Sequence, residues 1–237
     1  MADDAPAPTP PASPHTHART HARKDAMPPR CHLDHITVIA QTLDEGARFV
    51  HAALGVAPQT GGEHPRMGTH NLLLRLGDSA FLEVIAVNPL APPPARPRWF
   101  ALDSLDARSA PALATWVVRS SDIHATQAEL PETLGEIEAM SRGALNWLIT
   151  IPADGSLPLG GVAPTLIEWS TATHPAAGLR DHGLSLLGLE LCHPEPERLA
   201  NLLQPLELGN IVAVSGATSP RLLARIMTPD GLKTLSI

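Results

Sequence analysis

Aromatic side chains are scarce in this sequence of 237 residues, which has four Trp, three Phe and no Tyr. Proteins that bind single-stranded nucleic acids stack the bases on such rings. A basic excess is missing as well, because 17 Lys and Arg stand against 24 Asp and Glu, for a formal net charge of −7. A polyanion would find neither stacking surfaces nor a basic face, so we expect no nucleic-acid partner.

Long hydrophobic runs and cysteine pairs are also missing. Apolar runs such as 72–74 and 82–87 are much shorter than the roughly 20 residues of a membrane-spanning helix. The first residues carry acidic side chains and no apolar stretch of the kind found in signal peptides. Cys31 and Cys192 are isolated from each other, which fits a reducing compartment. We therefore expect a cytoplasmic protein without a membrane partner.

Proline, by contrast, is abundant, with 25 residues concentrated in two regions. Residues 1–30 are rich in Pro, Ala and His and hold no aliphatic side chain larger than Ala except Met. Burial of such residues cannot offset the entropy lost on ordering, so this segment is predicted to be a disordered tail. The second region, 88–112, reads as a connection between two structural units.

The first unit, 31–90, is predicted to fold as β-α-β-β-β. Residues 33–39 are rich in β-branched residues and predict a strand, and a helix over 43–54 follows, with Thr42 as its N-cap and Gly55 after its C-terminus. A loop that could hold a short strand leads to strands over 70–76 and 81–87. The element order thus starts with one strand and one helix and ends in a meander.

The same order returns in a second unit, 113–171, with strands over 114–119, 145–151 and 165–169, an edge-strand candidate over 135–140 and a weak helix near 122–130. Residues 70–74 align with 145–149, and 81–84 align with 166–169, which predicts a duplication. Together the two units would form one domain over 31–175. Residues 183–237 repeat the order once more in outline and are predicted to be a third, structural unit.

Two glutamates interrupt apolar strands in equivalent places of the aligned units. Glu83 and Glu168 each lie between residues suited to burial, and burying a carboxylate without a partner costs several kcal/mol. His35 is likewise in the middle of its strand. If the units pack symmetrically, these side chains converge in a shared cavity, where they could bind a divalent ion such as Mn, Ni, Zn or Fe or serve in acid–base catalysis.

Four further residues are candidates for contacts with a small molecule. His70 and Asn71 follow Gly68 and could donate hydrogen bonds to a substrate oxygen, or could simply begin a strand. Trp116 and Trp147 could form an aromatic wall for an apolar ligand, or could be core residues. The two glutamates could equally pair with Arg75 or Arg119 in a purely structural role.

Taken together, these motifs resemble the vicinal oxygen chelate superfamily, and more narrowly its glyoxalase-like domain family. The resemblance rests on 33–36, 68–71, 81–85 and 166–169 in this order and covers about 33–237. It implies an α+β fold in which tandem βαβββ units form cupped mixed sheets around a small-molecule cavity.

The resemblance also implies a metal site and a range of reactions. His35, Glu83 and Glu168 fall at three ligand positions, but the fourth position is Thr115, a poor ligand. One divalent metal ion would support lyase, isomerase or dioxygenase chemistry on a molecule with vicinal oxygens, and Glu83 or Glu168 would move the proton. The alternative is a metal-free protein that binds or sequesters a small molecule. Because the number of units is odd, the third has no partner unit within the chain, and a homodimer is one way to cover it.

Overall fold

The computed structural model describes residues 1, 30–171 and 173–236. Apart from its two ends, the predicted tail at 1–30 lies outside the described residues. None of the helices in the described part of the chain is long and apolar enough to cross a bilayer. The strands are β1 (Cys31–Ile39), β2 (Gln59–His64), β3 (Thr69–Arg75), β4 (Phe81–Val87), β5 (Ala112–Ser120), β6 (Glu136–Arg142), β7 (Leu145–Ile151), β8 (Thr165–Trp169), β9 (Ser185–His193), β10 (Val212–Gly216), β11 (Arg221–Thr228) and β12 (Gly231–Ser236), and the helices are α1 (Leu43–Leu54), α2 (Ile123–Glu129) and α3 (Pro196–Leu203).

The first two units form one mixed sheet, with the strand order β2-β3-β4-β1-β5-β8-β7-β6. In each unit the first strand pairs in parallel with the last, β1 with β4 and β5 with β8. An antiparallel pairing of β1 with β5 joins the two units. The predicted α+β class, with tandem units that build a cupped mixed sheet, is therefore confirmed.

Helix ends follow the local chemistry of the sequence. Thr42 caps α1 by accepting a hydrogen bond from the backbone nitrogen of Glu45 at 3.2 Å, and Gly55 ends the helix in the left-handed conformation, with a φ of 78°. Asp122 caps α2 in the same way, accepting from the backbone nitrogen of Ala125 at 2.9 Å. A side-chain acceptor at the N-cap satisfies one of the free N–H groups of the first turn, so both helices begin where the sequence predicts.

The third unit keeps the predicted order of elements but differs from the first two in how its strands pair. Its first strand, β9, pairs in parallel with β10, the strand that directly follows α3, and antiparallel with β11. The resulting sheet has the order β10-β9-β11-β12. In the first two units the parallel partner is the last strand instead, so the third unit is a copy in element order only.

The two faces of the large sheet have different coverings. On one face, Trp116 and Leu166 share a continuous apolar cluster with Val50 of α1 and with Leu191 and Leu235 of the third unit. That face is therefore buried beneath the helices and the third unit. The opposite face carries a separate cluster of mostly aromatic and branched side chains, and this face holds the cavity described next.

Candidate functional site

A cavity opens on the sheet face that the helices leave free. The free space of the cavity, together with the open solvent at its mouth, amounts to about 410 Å³. These dimensions suit a ligand of a few non-hydrogen atoms. Its polar lining consists of His35, His64, Asn71, Glu83 and Arg142, and its aromatic lining includes Phe81, Trp99, Phe100, Trp147 and Trp169.

Asp34 and His35 are neighbours in β1, yet their side chains contact each other, because the strand is irregular between Leu33 and His35. Oδ1 of Asp34 accepts a hydrogen bond from Nδ1 of His35 at 2.6 Å, and Oδ2 accepts from Trp169 at 3.0 Å and from His174 at 2.9 Å. Burial would raise the pKa of Asp34, but the hydrogen bonds from His174 and His35 outweigh it and hold that pKa well below its ordinary value. The ionised Asp34 thus fixes the imidazole of His35 with Nε2 free.

Glu83 lies opposite His35, and its carboxylate accepts a hydrogen bond from the side-chain amide of Asn71. Nδ2 of Asn71 donates to Oε1 of Glu83 at 2.6 Å, while Oε2 of Glu83 lies 3.7 Å from Nε2 of His35. Two glycines of β2 orient this amide. A Cβ on Gly61 would lie 2.1 Å from Oδ1 of Asn71, and the N–H of Gly62 donates to that oxygen at 2.8 Å. One oxygen of Glu83 is therefore occupied, and the other faces His35.

Arg142 reaches the cavity from the end of β6, in the second unit. Its Nη1 donates to Oδ1 of Asn71 at 3.2 Å and to Nε2 of His64 at 3.3 Å. Since Nε2 of His64 accepts, its Nδ1 carries the proton and donates to the hydroxyl of Thr69 at 3.1 Å. Burial lowers the pKa of His64 to about 4, so the ring is neutral near pH 7 and can act as this acceptor.

Burial of His64 predicts a loss of stability in mild acid. The folded pKa of about 4 lies below the unfolded value of roughly 6.5, so the unfolded chain binds the extra proton first, and stability falls as the pH drops from about 6.5 to 4. Glu83 raises this pKa, whereas Arg142, His35 and His70 lower it. We expect the unfolding free energy of the wild type to fall by about 3 kcal/mol more between pH 7.5 and 4 than that of His64→Gln, as measured by urea titration. Equal losses in both proteins would contradict the assignment.

Aromatic rings form the walls of the cavity. Trp99 and Phe100 belong to the short helical segment Trp99–Ser104, and their rings stack with centroids 5.4 Å apart. Phe100 adopts a left-handed backbone conformation with a φ of 57°, which is uncommon for a bulky residue. On the other side, the rings of Trp147 and Trp169 lie 5.3 Å apart. Trp147 thus lies in the cavity wall together with four other aromatic rings, those of Phe81, Trp99, Phe100 and Trp169.

The structure does not bring Glu168 into this group. In β8 the side chains that line the cavity are those of Ile167 and Trp169, and successive side chains of a strand point to opposite faces. Glu168 faces the helices instead, where its carboxylate accepts a hydrogen bond from the backbone nitrogen of Ile123 at 2.7 Å. Glu83 points to the cavity face of the sheet and Glu168 to the helix face. The two units are therefore not symmetric at this position.

Two of the predicted substrate contacts also lie elsewhere. His70 borders a separate surface depression near Gln41 and Pro89, whereas its neighbour Asn71 lines the cavity. Trp116 is fully buried in the core on the helix side of the sheet, and its indole nitrogen donates to the backbone oxygen of Val162 at 2.9 Å. Strand alternation explains both placements, because each residue points away from the cavity face.

The donors of the cavity fit a divalent metal poorly. Among the described residues, no three His, Cys, Asp or Glu side chains come together in a way that could hold a metal ion. Of the expected ligands only His35 and Glu83 face each other. At the fourth expected position, Thr115 is fully buried, and its hydroxyl hydrogen-bonds to no residue that the structure describes. The guanidinium of Arg142, which also lines the cavity, further disfavours a cation there.

Comparisons with known proteins support the fold. No curated protein matches the sequence. A hypothetical protein from Staphylococcus aureus superposes with a TM-score of 0.55 at 13% identity, covering 80% of this chain and 87% of that one. A variant of methylmalonyl-CoA epimerase from Streptomyces coelicolor, in complex with 2-nitronate-propionyl-CoA, gives 0.41 at 16% identity, over 61% of this chain and 98% of that one. Methylmalonyl-CoA epimerase from Mycobacterium tuberculosis gives 0.39 at 21% identity, over 61% and 91%.

The family match covers most of the chain. Residues 33–207 match the family described as the glyoxalase-like domain, and this range contains the eight-stranded sheet except for the first two residues of β1. The chain therefore belongs to the glyoxalase-like domain family.

Proposed function

We propose that the cavity catalyses proton transfer on a small molecule without a metal, with His35 and Glu83 as the catalytic residues. The observation that carries this proposal is the facing pair formed by Nε2 of His35 and Oε2 of Glu83, 3.7 Å apart. A second hydrogen bond orients each side chain: His35 donates to Asp34, and Glu83 accepts from Asn71. A base that is oriented by a carboxylate and faces a cavity is the arrangement that general base catalysis requires.

The chemistry is an isomerisation through an enolate. Nε2 of His35 takes a proton from a carbon next to a carbonyl group, and the electron pair of the broken C–H bond moves to the carbonyl oxygen. Return of the proton from His35 to a carbon of the enolate completes the reaction, with no net gain or loss of atoms or electrons. Glu83 stabilises the imidazolium that forms on His35, because its negative charge lies a few ångströms away in a largely buried site.

Deuterium exchange tests this proposal directly. The protein, treated with a chelator, is incubated in D₂O with 2-oxobutanoate or with the uncharged 1-hydroxybutan-2-one, and loss of the C–H signal next to the carbonyl is followed by proton NMR. We expect the wild type to catalyse exchange with at least one of these compounds, and His35→Gln and Glu83→Gln to lower the rate by about 100-fold or more.

The matched control is His51→Gln, a histidine exposed on α1, which should exchange at the wild-type rate. Exchange that persists in His35→Gln, or no exchange with either compound in the wild type, would refute proton transfer. Binding of the same compounds without exchange would support the alternative of a metal-free binding protein on this fold.

A further inference from the structure

Arg142 places a cationic side chain in the lining of the cavity. Burial lowers the pKa of this guanidinium, and the charge of Glu83 opposes that effect. Its hydrogen bonds go to Asn71 and His64, and within the described chain it forms no ion pair with a carboxylate. Arg142 is partly buried, and since charges removed from water are normally neutralised by a partner, this guanidinium is available to pair with an anion that enters the cavity.

The position of Arg142 is fixed by its neighbours. Gly62 lies against its side chain, because a Cβ there would be 2.7 Å from Cδ and 3.2 Å from Nε of Arg142. Both acceptors of Nη1 are neutral groups, and Asn71 is itself tied to Glu83. The first unit thus holds an arginine of the second unit in a defined place, without a direct ion pair to a carboxylate of the described residues.

Two further features favour an anion on this side of the cavity. Trp99 is 4% exposed and lines the cavity, and its indole N–H donates to no residue among those the structure describes. In the same strand as Arg142, Glu138 pairs with both Arg66 and Arg96, so this cluster of two cations and one anion keeps a net positive charge. Oxygen atoms of a ligand could therefore accept hydrogen bonds from Arg142 and from Trp99.

Glu83 does not replace the missing anion. One of its oxygens accepts from Asn71 and the other faces His35, so its carboxylate is directed toward the imidazole. A ligand carboxylate at Arg142 would be separated from Glu83 by the amide of Asn71, which hydrogen-bonds to both residues. The cavity thus has an acid–base side and a cationic side.

We propose that the substrate is a small carboxylic acid, bound through its carboxylate to Arg142, with Trp99 as a second donor. Where the acid also carries a carbonyl group, its reactive carbon would lie toward His35 and Glu83. This last assignment rests on the proposed function, whereas recognition of the carboxylate does not. Guanidinium groups bind carboxylates through two parallel hydrogen bonds, so the carboxylate would also orient the molecule.

Two compounds of the same shape, one charged and one neutral, show the effect of the ligand's charge on binding. Binding of 2-oxobutanoate and of its neutral analogue 2-oxobutanamide is measured by the fluorescence of the tryptophans that line the cavity. We expect the wild type to bind the carboxylate at least about tenfold more tightly than the amide, and Arg142→Gln to abolish this preference while still binding the amide. Arg75→Gln is the control, since Arg75 is a partly buried arginine that pairs with Asp78 outside the cavity.

The outcomes separate this inference from the proposed function. Equal affinity of the wild type for both compounds, or an unchanged preference in Arg142→Gln, would overturn the inference even if deuterium exchange takes place. A preference that depends on Arg142, without exchange, would support the inference and refute only proton transfer. If Arg142→Gln melts well below the wild type, Arg142→Lys, which keeps the charge but not the paired donors, should retain part of the preference; a complete loss in that folded variant would also contradict the inference.

Discussion

Asp34→Ala is expected to lower the free energy of unfolding by about 3–5 kcal/mol and to abolish proton exchange. Asp34 is 0% exposed and accepts hydrogen bonds from His35, Trp169 and His174. Its removal leaves these donors without their acceptor, and Arg119, 3.9 Å away, without the opposite charge. The rate of exchange should fall by about 100-fold or more, because the imidazole of His35 loses the group that orients it.

Two variants show whether this loss comes from the buried network. Asp34→Asn keeps the volume and one acceptor oxygen, so its stability should lie between that of Asp34→Ala and that of the wild type. Asp78→Ala removes a carboxylate that is 98% exposed and should change the unfolding free energy by less than about 0.5 kcal/mol. Urea denaturation measures all three, and a loss below about 1 kcal/mol in Asp34→Ala would contradict the described network.

Gly161→Ala should destabilise the protein by about 4 kcal/mol or more, or prevent folding altogether. Gly161 has a φ of 94°, and an added Cβ would lie 1.9 Å from the backbone oxygen of Ala114. That oxygen belongs to β5, at the centre of the large sheet, and cannot move away cheaply. The adjoining backbone is also fixed, because the buried Trp116 donates its hydrogen bond to Val162.

Gly178→Ala is the matched change, because nothing lies within 4 Å of its added Cβ and the residue closes a short helical turn. Its unfolding free energy should stay within about 0.5 kcal/mol of the wild-type value. Thermal unfolding followed by circular dichroism compares the two variants. A wild-type melting temperature for Gly161→Ala would show that the segment packs differently against β5.

Local chemistry made most of the fold predictable from the sequence. The bounds of α1, β4, β7 and β8 agree with the predicted ranges, because helix caps, alternation and turn residues act within a few positions of one another. The short strand suggested in the loop is β2. The pairing of the third unit could not be predicted in this way, since it depends on which strands meet across the chain.

The site was harder to predict because it depends on faces and on distant neighbours. Asn71, Glu83, His35 and Trp147 were selected and line the cavity. Glu168 was misplaced because a shift of one residue moves a side chain to the other face of a sheet. Asp34 was missed because a local irregularity in β1 overrides simple alternation.

Arg142 carried no local signal. It ends β6 in the second unit, and its partners His64 and Asn71 belong to the first. Only the curvature of the sheet, which brings β2 close to β6, makes these residues neighbours. The Gly61-Gly62 pair leaves space for Asn71 and Arg142, and this use of the two glycines follows from that curvature alone.

The covering of the large sheet by the third unit has a consequence for biosynthesis. All eight strands of the sheet have been translated once Trp169 is added, but Leu235, a buried member of the core on the helix side, is among the last described residues to be added. Until then the nascent chain exposes a broad apolar surface around Trp116 and Leu166. The strands around the cavity are thus synthesised before the third unit that buries part of the helix-side face, and transiently exposed apolar surface of this kind favours aggregation during folding.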